Sequence, residues 1–331
     1  MKDAILNFAK QFEFNPVIVN PDNFKPAKKF IVCGMGGSSQ AADIIKAVWP
    51  DMDILIRKDY GLPPLPEKQL QGSLMIASSY SGNTEEPIEF FVQAKKLNLN
   101  LIAISIGAKL LELAKKFAVP YIQIPDTKIQ PRSALGFSIR AMLKAMGQED
   151  RLAEVGQLAK TLKPRDYEAG GQDLAKKTKG FVPIIYASSQ NFPVAYVWKI
   201  KLNETGKIPA FYNVIPELNH NEMNGFSAKG GPAAGGNVSE EINQLSEKFY
   251  FIILKDPEDN PKIIRRMEVI QKLYKDRGLP VETIDLTGEN KLARIFSSLL
   301  VADWFALHTA EQYGLESEQV PMVEEFKKLI E

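Results

Sequence analysis

The chain is poor in the residues that build metal centres and covalent cross-links, with one cysteine and two histidines among 331 residues. The single cysteine, Cys33, cannot form an internal disulfide, and its place in the apolar stretch FIVC predicts a core thiol. A chain without disulfides is typical of the cytoplasm, where we expect this protein. The histidines, His220 and His308, lack the four-residue spacing of a zinc-binding helix, so no metal or other cofactor is predicted.

The chain also lacks an excess of either charge and any long apolar run. Lysine and arginine number 41 against 40 aspartates and glutamates, which gives no reason to expect a nucleic-acid or membrane partner. An anionic small-molecule substrate would therefore have to be held by local features. No run is long enough to span a bilayer, and the first residues, MKDAILNFAKQFEF, lack the apolar region of a signal peptide.

What the chain does have is a regular alternation of apolar, strand-length runs with helical segments. Its 45% of apolar residues is enough material for two cores. Strands are predicted at 29–33, 54–57, 74–79, 99–105, 121–124, 182–187, 249–254 and 281–286. Helices follow most of these runs, which is the signature of parallel βαβ units in an α/β fold with helices on both faces of the sheet. In such sheets the ligand sites lie at the carboxyl ends of the strands.

A polar helical stretch over 149–178, which contains Pro164 and the pair Gly170-Gly171, separates the two halves of the chain. We therefore predict an N-terminal domain over 1–150 and a C-terminal domain over 151–331. The glycine-rich stretch 225–236, GFSAKGGPAAGG, is the most loop-like part of the chain.

The first candidate site is GMGGSSQAAD, residues 34–43, between a predicted strand and a helix. The dinucleotide-binding pattern G-x-G-x-x-G fails because Ser39 stands at the third glycine, and Arg57, not an acidic residue, ends the second strand. Glycines that admit backbone N–H groups at a helix N-terminus fit a general oxyanion site better. An ordinary tight turn with a serine cap is the simpler alternative.

The second candidate site is SSYSGNTEE, residues 78–86, which follows another predicted strand. The hydroxyls of Ser79, Ser81 and Thr84, with helix N–H groups behind them, would form a cradle for a phosphate group. Thr84 followed by two glutamates is equally typical of a plain capped helix. Two anion-friendly turns at the strand ends of one sheet favour a phosphate or sugar-phosphate site.

Three further stretches carry residues suited to acid–base chemistry. QPRSALG places Arg132 before a helix, where it would clamp an anion or stabilise an enolate, although a surface arginine is the commoner fate. NETGKIPA and PELNHNEM carry Glu204 and His220 among amides and prolines. A carboxylate and an imidazole that titrates near neutral pH form a plausible base and acid. His308, within a predicted helix, is expected to be structural or solvated.

Taken in order, the motifs GMGGSS, SYSGNTEE, PRSALG, NE-x-x-K-x-PA and PELNHNE resemble those of the bifunctional phosphoglucose/phosphomannose isomerases, a family of the sugar isomerase (SIS) superfamily. The resemblance extends from about residue 29 to the C-terminal helix. It implies an α/β fold of two SIS domains, each a three-layer αβα sandwich around a mainly parallel five-stranded sheet. It also implies a homodimer in which His220 acts across the subunit interface.

The resemblance assigns a role to each motif residue. Arg132 would stabilise an enediolate, Glu204 would be the base that moves a proton between C2 and C1, and His220 would open the sugar ring. Lys327 would assist the ring opening, with Lys328 as the neighbouring alternative. The family's phosphate contacts fall on Gly36, Gly37, Ser38, Ser79, Ser81 and Thr84.

The activity that the resemblance implies is the metal-free interconversion of glucose 6-phosphate, and of mannose 6-phosphate, with fructose 6-phosphate. Thr205-Gly206, where the family has Asn and a Ser or Ala, leaves the preference between the two aldoses open. A SIS-type regulator that binds a sugar phosphate would keep the hydroxyls but lack the paired base and histidine. A different SIS isomerase, for amino-sugar or heptose phosphates, would carry an ammonia-handling domain or a histidine-rich metal site.

Overall fold

The computed structural model describes residues 1–226 and 244–330. Most of the glycine-rich stretch 225–236 therefore lies outside the described residues. The chain forms two compact units: the N-terminal unit is Asp3–Lys163, and the C-terminal unit is Pro164–Glu331 together with Met1–Lys2. None of the helices within the described ranges is long and apolar enough to cross a membrane.

The N-terminal half of the chain is built on a six-stranded sheet. Its strands are β1 (Ile18–Val19), β2 (Lys29–Cys33), β3 (Asp53–Arg57), β4 (Leu74–Ser78), β5 (Leu101–Ser105) and β6 (Tyr121–Gln123). Its helices are α1 (Lys2–Leu6), α2 (Gly37–Val48), α3 (Glu67–Gln71), α4 (Glu85–Lys96), α5 (Ala108–Lys116), α6 (Leu135–Ala145), α7 (Glu149–Gly156) and α8 (Leu158–Thr161). The strand order is β1-β6-β5-β4-β2-β3, and every neighbouring pair is parallel except β1 with β6.

Helices cover both faces of this sheet, which explains why its central strands are apolar without alternation. On one face Ile31, Cys33 and Met75 pack with residues of α4 and α5 in a single core cluster. On the other face α2 and α6 contact each other and the strands below them. Cys33 is fully buried, as predicted, and burial is the main reason that the pKa of its thiol rises to about 12.

The division between the units lies at Lys163 and Pro164, further along the chain than the predicted division at 150/151. The difference comes from α7 and α8. Because their sequence is polar, they were predicted to belong to the polar stretch that separates the two domains. In the structure α7 packs on α6, and α8 packs on the 3₁₀ helix Phe8–Glu13. Both helices therefore belong to the N-terminal unit.

The C-terminal unit is built on a four-stranded sheet within the described residues. Its strands are β7 (Val182–Ser188), β8 (Phe211–Ile215), β9 (Phe249–Lys255) and β10 (Val281–Asp285). Its helices are α9 (Glu168–Lys177), α10 (Phe192–Glu204), α11 (Pro261–Asp276), α12 (Lys291–Gln312) and α13 (Pro321–Ile330). The order is β10-β9-β7-β8, with every neighbouring pair parallel.

The two faces of the second sheet are also covered by helices. Met267, Ile270 and Tyr274 of α11 form a core cluster with Tyr186 and Phe251 of the sheet. Helix α10 packs on β7 and β8 and contacts α12, which in turn packs on α9. The long α12 is thus surrounded by other helices, which accounts for its many buried residues.

The predicted α/β architecture with helices on both faces is confirmed in both units, but the described residues form six strands in the first sheet and four in the second, where five and five were expected. The first sheet gains β1, which has two residues and is too short to leave a pattern in the sequence. The edge strand β8, whose Phe211 and Tyr212 are exposed, was not predicted either. Edge strands lack the continuous apolar run that marks a buried parallel strand.

Candidate active site

The two predicted phosphate turns lie side by side in the N-terminal unit. Strands β2 and β4 are parallel neighbours, with Cys33 opposite Ala77, so their carboxyl ends meet at the same edge of the sheet. The chain adds β3 on one side of β2 and β4 on the other. This reversal of strand order is a topological switch point, the place where open α/β sheets bind their ligands. The first turn (residues 34–39) and the second turn (residues 79–84) both lie at this switch point.

The first turn is held by glycines that leave no room for side chains. Gly36 has φ +49°, a left-handed conformation that favours glycine, and α2 begins at Gly37. A Cβ atom on Gly37 would lie 2.5 Å from the carbonyl oxygen of Pro131. The 3₁₀ helix Pro131–Ser133, which we call the arginine turn, therefore lies directly against the start of α2.

A buried hydrogen bond connects the first turn to the second. The backbone N–H of Tyr80 donates to Ser38 Oγ at 2.9 Å, and both residues are buried. The bond is directional and is shielded from water, so it fixes the separation of the two turns. Ser38 thus has a structural contact in addition to its predicted phosphate contact.

The three hydroxyls of the second turn cluster at the start of α4. Ser79 Oγ accepts the N–H of Gly82 at 3.0 Å and donates to Thr84 Oγ1 at 2.9 Å. Ser81 Oγ lies 3.5 Å from the same Thr84 oxygen. Thr84 is the N-cap residue of α4, yet its side chain makes no cap hydrogen bond to the helix. The second turn therefore differs from an ordinary capped helix start, because the Thr84 hydroxyl bonds within the turn and does not cap the helix.

Gly82 locks the second turn against the loop that follows β5. Its φ is +79°, and a Cβ atom there would lie 2.1 Å from the carbonyl oxygen of Gly107 and 2.8 Å from Ser105 Oγ. Its own carbonyl accepts the N–H of Leu110 in α5 at 2.9 Å. Only glycine fits this position, because any side chain would force the turn and the loop apart.

Arg132 is buried, with 2% of its surface exposed, so the alternative of a plain surface arginine does not hold. Gln11 supports the arginine turn from the N-terminal segment. Its Nε2 donates to the carbonyl of Ser133 at 2.6 Å, and its Oε1 accepts the N–H of Gly136 at 3.0 Å. No local pattern in the sequence marks Gln11, because this contact joins residues 122 positions apart.

In the C-terminal unit, Glu204 is the last residue of α10 and is half-buried. Lys207 Nζ donates to the carbonyl of Glu204 at 2.5 Å and also to the carbonyl of Gln319, just before α13. Lys207 therefore joins the end of the helix that carries Glu204 to the start of the helix that carries Lys327. Lys207 had no predicted role, although it belongs to the NE-x-x-K motif.

His220 ends the 3₁₀ helix Glu217–His220, which follows β8, and its side chain is exposed. The glutamates that flank it in the sequence bond to other groups. Glu217 accepts from Asn221 Nδ2 at 2.7 Å. Glu222 accepts from Asn213 Nδ2 at 2.5 Å and from the hydroxyl of Tyr186.

The phenol of Tyr186 has a raised pKa, chiefly through burial and then through the charges of neighbouring groups that include Glu222. Tyr186 therefore keeps its proton, and its hydroxyl donates a hydrogen bond to the Glu222 carboxylate. Glu222 is a structural residue in this arrangement.

His308 lies in α12 and has the structural or solvated character that was predicted. Its ring stacks on Trp304 with 5.7 Å between centroids, and its Nδ1 lies 2.8 Å from Glu311 Oε2.

Lys327 lies on α13, a helix without buried residues. Its Nζ is 2.9 Å from Glu324 Oε1 in an exposed ion pair. The same helix exposes Met322, Phe326 and Leu329. The structure therefore places the predicted ring-opening lysine on an amphipathic helix whose apolar face is uncovered.

Comparison with known proteins identifies the fold as that of two SIS domains. A family model described as the bacterial phospho-glucose isomerase C-terminal SIS domain matches residues 168–330. A solved structure of a glucose-6-phosphate isomerase like protein from Thermus thermophilus superposes with a TM-score of 0.60. The superposed part is 96% of this chain and 94% of the Thermus thermophilus chain, and the sequences are 14% identical, which establishes similarity of fold only. The predicted SIS fold is confirmed.

Curated relatives narrow this class to one family. The bifunctional phosphoglucose/phosphomannose isomerase of Caldicellulosiruptor bescii is 31% identical over 316 residues, which are 90% of this chain and 88% of the relative. The protein of the same name from Aquifex aeolicus is 28% identical over 334 residues, 98% of this chain and 96% of its own length. The chain belongs to the bifunctional phosphoglucose/phosphomannose isomerase family, as the motifs predicted.

Proposed function

We propose that the chain is an aldose–ketose isomerase that interconverts glucose 6-phosphate and mannose 6-phosphate with fructose 6-phosphate. The observation that carries this proposal is membership of a family whose relatives match over nearly their whole length. The presence of Glu204 and His220 in the matching motifs supports catalysis over mere binding. We expect the enzyme to act in the cytoplasm, without a metal or another cofactor.

The substrate phosphate is held by the first and second turns of the N-terminal unit. The supporting observations are the three clustered hydroxyls and the bond from Tyr80 to Ser38, which fixes the turns beside each other. Helix N-termini at α2 and α4 add N–H donors and a favourable dipole for a phosphate dianion. The proposed contacts are Gly36, Gly37, Ser38, Ser79, Ser81 and Thr84.

Glu204 and Arg132 carry out the isomerisation. The Glu204 carboxylate removes the proton from C2 of the open-chain aldose, and the C1 carbonyl oxygen takes the electron pair to give a cis-enediolate. The hydroxyl proton of the C2 oxygen passes to the C1 oxygen, Glu204 returns its proton to C1, and the C2 oxygen becomes the new carbonyl. Arg132 offsets the negative charge that develops on the enediolate oxygens. Glucose and mannose differ only at C2, which is planar in the enediol, so one base serves both epimers.

His220 and Lys327 open the sugar ring before this step. Ring opening breaks the bond between C1 and the ring oxygen, with a proton removed from the C1 hydroxyl and another added to the ring oxygen. An imidazole suits this exchange because it gains and loses a proton near neutral pH. Lys328, the next residue of α13, is the alternative to Lys327.

The active form is a homodimer in which His220 acts on the partner subunit's substrate. Two observations support this proposal: His220 is exposed, and α13 presents an uncovered apolar face. Apolar patches of this kind usually mark an interface. Light scattering after size-exclusion chromatography tests the assembly. A monomer with full activity would contradict it.

A coupled assay with fructose 6-phosphate in EDTA tests the function directly. It follows the formation of glucose 6-phosphate and of mannose 6-phosphate separately, with the wild type beside Glu204→Gln. An amide keeps the shape of the side chain but cannot accept the C2 proton, so we expect activity to fall about 10²–10⁴-fold. Glu217→Gln, which neutralises an exposed carboxylate in the neighbouring motif, is the matched control and should remain active.

Each outcome of this assay has a distinct meaning. Formation of both aldoses, lost in Glu204→Gln alone, supports the bifunctional isomerase. Formation of a single aldose keeps the mechanism and restricts the substrate. Binding of sugar phosphate without turnover would instead make the chain a sugar-phosphate-binding regulator.

A further inference from the structure

Helix α10 is enclosed by apolar contacts on nearly every side, so its rotation is not set by an apolar face and a polar face. Its buried residues are Pro193, Val194, Ala195, Val197, Trp198, Ile200, Lys201 and Leu202. Apolar burial is not directional, and by itself it leaves the rotation of such a helix weakly specified. The rotation of α10 about its axis must therefore be set by directional polar bonds.

One of the buried residues of α10 is a lysine. Lys201 has 1% of its side chain exposed, and its Nζ lies 2.5 Å from Oδ1 of Asp303 in α12, which is 4% exposed. A buried ion pair is a costly way to gain stability, because both charges lose their hydration. Its distinctive property is the fixed geometry that it imposes.

A second directed bond joins the same two helices one turn earlier. Trp198 Nε1 donates to Ser298 Oγ at 2.9 Å, and both residues are buried. Two bonds along the contact define both the rotation of α10 and its position along α12.

The backbone of Lys201 also ends the helix. Its carbonyl accepts the N–H groups of Thr205 at 2.9 Å and Gly206 at 3.1 Å. A Cβ atom on Gly206 would lie 2.7 Å from the carbonyl oxygen of Leu202, so this tight helix end requires glycine. In the chain, Glu204 lies between Lys201 and Thr205. It is one turn after Lys201 and close to the same side of the helix.

We propose that Lys201 and Asp303 are positioning residues that set the direction of the Glu204 carboxylate through the last turn of α10. The inference rests on the proposed function, in which Glu204 is the base. Neither residue acts on the substrate itself. An apolar pair would hold the helices together as well, but of the two directed bonds only the one from Trp198 to Ser298 would remain. The last turn of α10 could then shift and carry the Glu204 carboxylate away from C2.

The double variant Lys201→Met/Asp303→Leu tests this inference, because replacement of a buried ion pair by apolar residues of similar volume is often neutral or stabilising. We expect its Tm and its KM for fructose 6-phosphate to stay near the wild-type values. We expect kcat to fall about a hundredfold, as for a misplacement of about 1 Å. The kinetic isotope effect with glucose 6-phosphate deuterated at C2 should rise, since proton transfer becomes slower than the other steps.

Tyr167→Phe is the matched control. It removes a polar bond to the same helix, from the Tyr167 hydroxyl to Ser297 Oγ at 2.8 Å, without a link to α10. It should leave kcat and the isotope effect unchanged. An inactive wild type would refute the proposed function and not the positioning role, so the two failures are distinguishable.

A double variant with native Tm and a kcat within about threefold of the wild type would overturn the inference. If the double variant does not fold, Asp303→Asn and Asp303→Ala decide. Both remove the charge, but only asparagine keeps an acceptor for Lys201. We expect kcat of Asp303→Asn to exceed that of Asp303→Ala at least about tenfold, and equal values would overturn the inference.

Discussion

The central strands of the two sheets end in the same kind of turn. After β4, Ser79 Oγ accepts the N–H of Gly82 at 3.0 Å, and at the end of β7, Ser188 Oγ accepts the N–H of Asn191 at 3.2 Å. In each unit the serine binds the N–H three residues on, just before the helix that follows. The backbone chemistry of the two strand ends is therefore alike.

The side chains around the two turns are not alike. Ser79 donates to the neutral hydroxyl of Thr84, whereas Ser188 donates to the carboxylate of Asp259 at 2.5 Å. Asn191 Nδ2 donates to Asp259 and to Asp256, each at 3.2 Å. The protein's own carboxylates thus occupy the donors of the second edge. At the first edge Ser79 donates to another neutral hydroxyl, and an external anion can take the place of that acceptor.

Arg294 balances part of the charge at the second edge, with its Nε 3.0 Å from Asp256 Oδ1. An arriving phosphate dianion would meet two buried carboxylates there, and like charges at short range disfavour such a complex. The same turn geometry is therefore found in two different surroundings. We call the carboxyl edge of the N-terminal sheet, where neutral hydroxyls surround the turn, the open edge. We call the carboxyl edge of the C-terminal sheet, where the protein's own acids accept from the turn, the closed edge. We expect one phosphate site per chain.

Removal of the glycine at the open edge should have the largest effect. In Gly82→Ala the positive φ costs about 1–2 kcal/mol, and the clash with Gly107 adds about 1–3 kcal/mol. The turn must shift, so KM for fructose 6-phosphate should rise as the Tm falls. Gly147→Ala is the control, because φ there is +67° and no atom lies within 4 Å of the new Cβ. Equal effects at both positions would refute the tight fit.

Paired serine variants separate the two edges. Ser79→Ala and Ser188→Ala each leave a buried N–H without its acceptor, at a cost of about 1–3 kcal/mol of stability. Only Ser79→Ala should also raise KM for fructose 6-phosphate, by about tenfold for one lost bond to a charged group. Steady-state kinetics beside thermal unfolding checks both. A higher KM in Ser188→Ala would remove the proposed difference between the edges.

The closed edge should reveal itself in the pH dependence of stability. Burial, and then the charge of Asp256, raises the pKa of Asp259 above 3.8, although its bond to Ser188 and the charge of Lys291 oppose the shift. Above pH 3.8 the folded state therefore binds more protons than the unfolded state, and stability falls as the pH rises through the folded pKa.

Asp259→Asn removes this titration, so its Tm relative to the wild type should increase from about pH 4 towards about pH 7. Thermal scans of both proteins in matched buffers measure the difference. A difference that shrinks as the pH rises would show that the ionised carboxylate is the favoured form.

Cys33 ends β2, next to the open edge, and we expect its thiol to be protected from reagents in the folded protein. With its pKa raised to about 12, the thiol is almost entirely protonated at about pH 8. A thiol reagent should therefore react with the protein only after denaturation. Rapid modification of the folded protein would mean that solvent reaches Cys33 from the open edge.

The sequence reveals the open edge because its glycines and hydroxyls follow a strand within a few residues. It does not reveal the closed edge, since the bond from Ser188 to Asp259 joins residues 71 positions apart. A local signal was nevertheless present: KDPEDN places Asp256 and Asp259 directly after the strand β9, as SSYSGNT follows β4.

Two further features also depend on the folded chain. The support of the arginine turn by Gln11 and the packing of α8 on Phe8–Glu13 both join distant segments. Local patterns predict the strands and their turns, but only the tertiary structure decides which donors are already in use.

The most direct test is a calorimetric titration with glucitol 6-phosphate, a substrate-like sugar phosphate that has no carbonyl group and cannot isomerise. We expect one molecule to bind per chain, binding to be lost in Ser79→Ala/Thr84→Val, and Ser188→Ala to bind like the wild type. Two molecules per chain, or binding that survives the change at Ser79 and Thr84, would contradict the claim that the phosphate is held at the N-terminal edge alone.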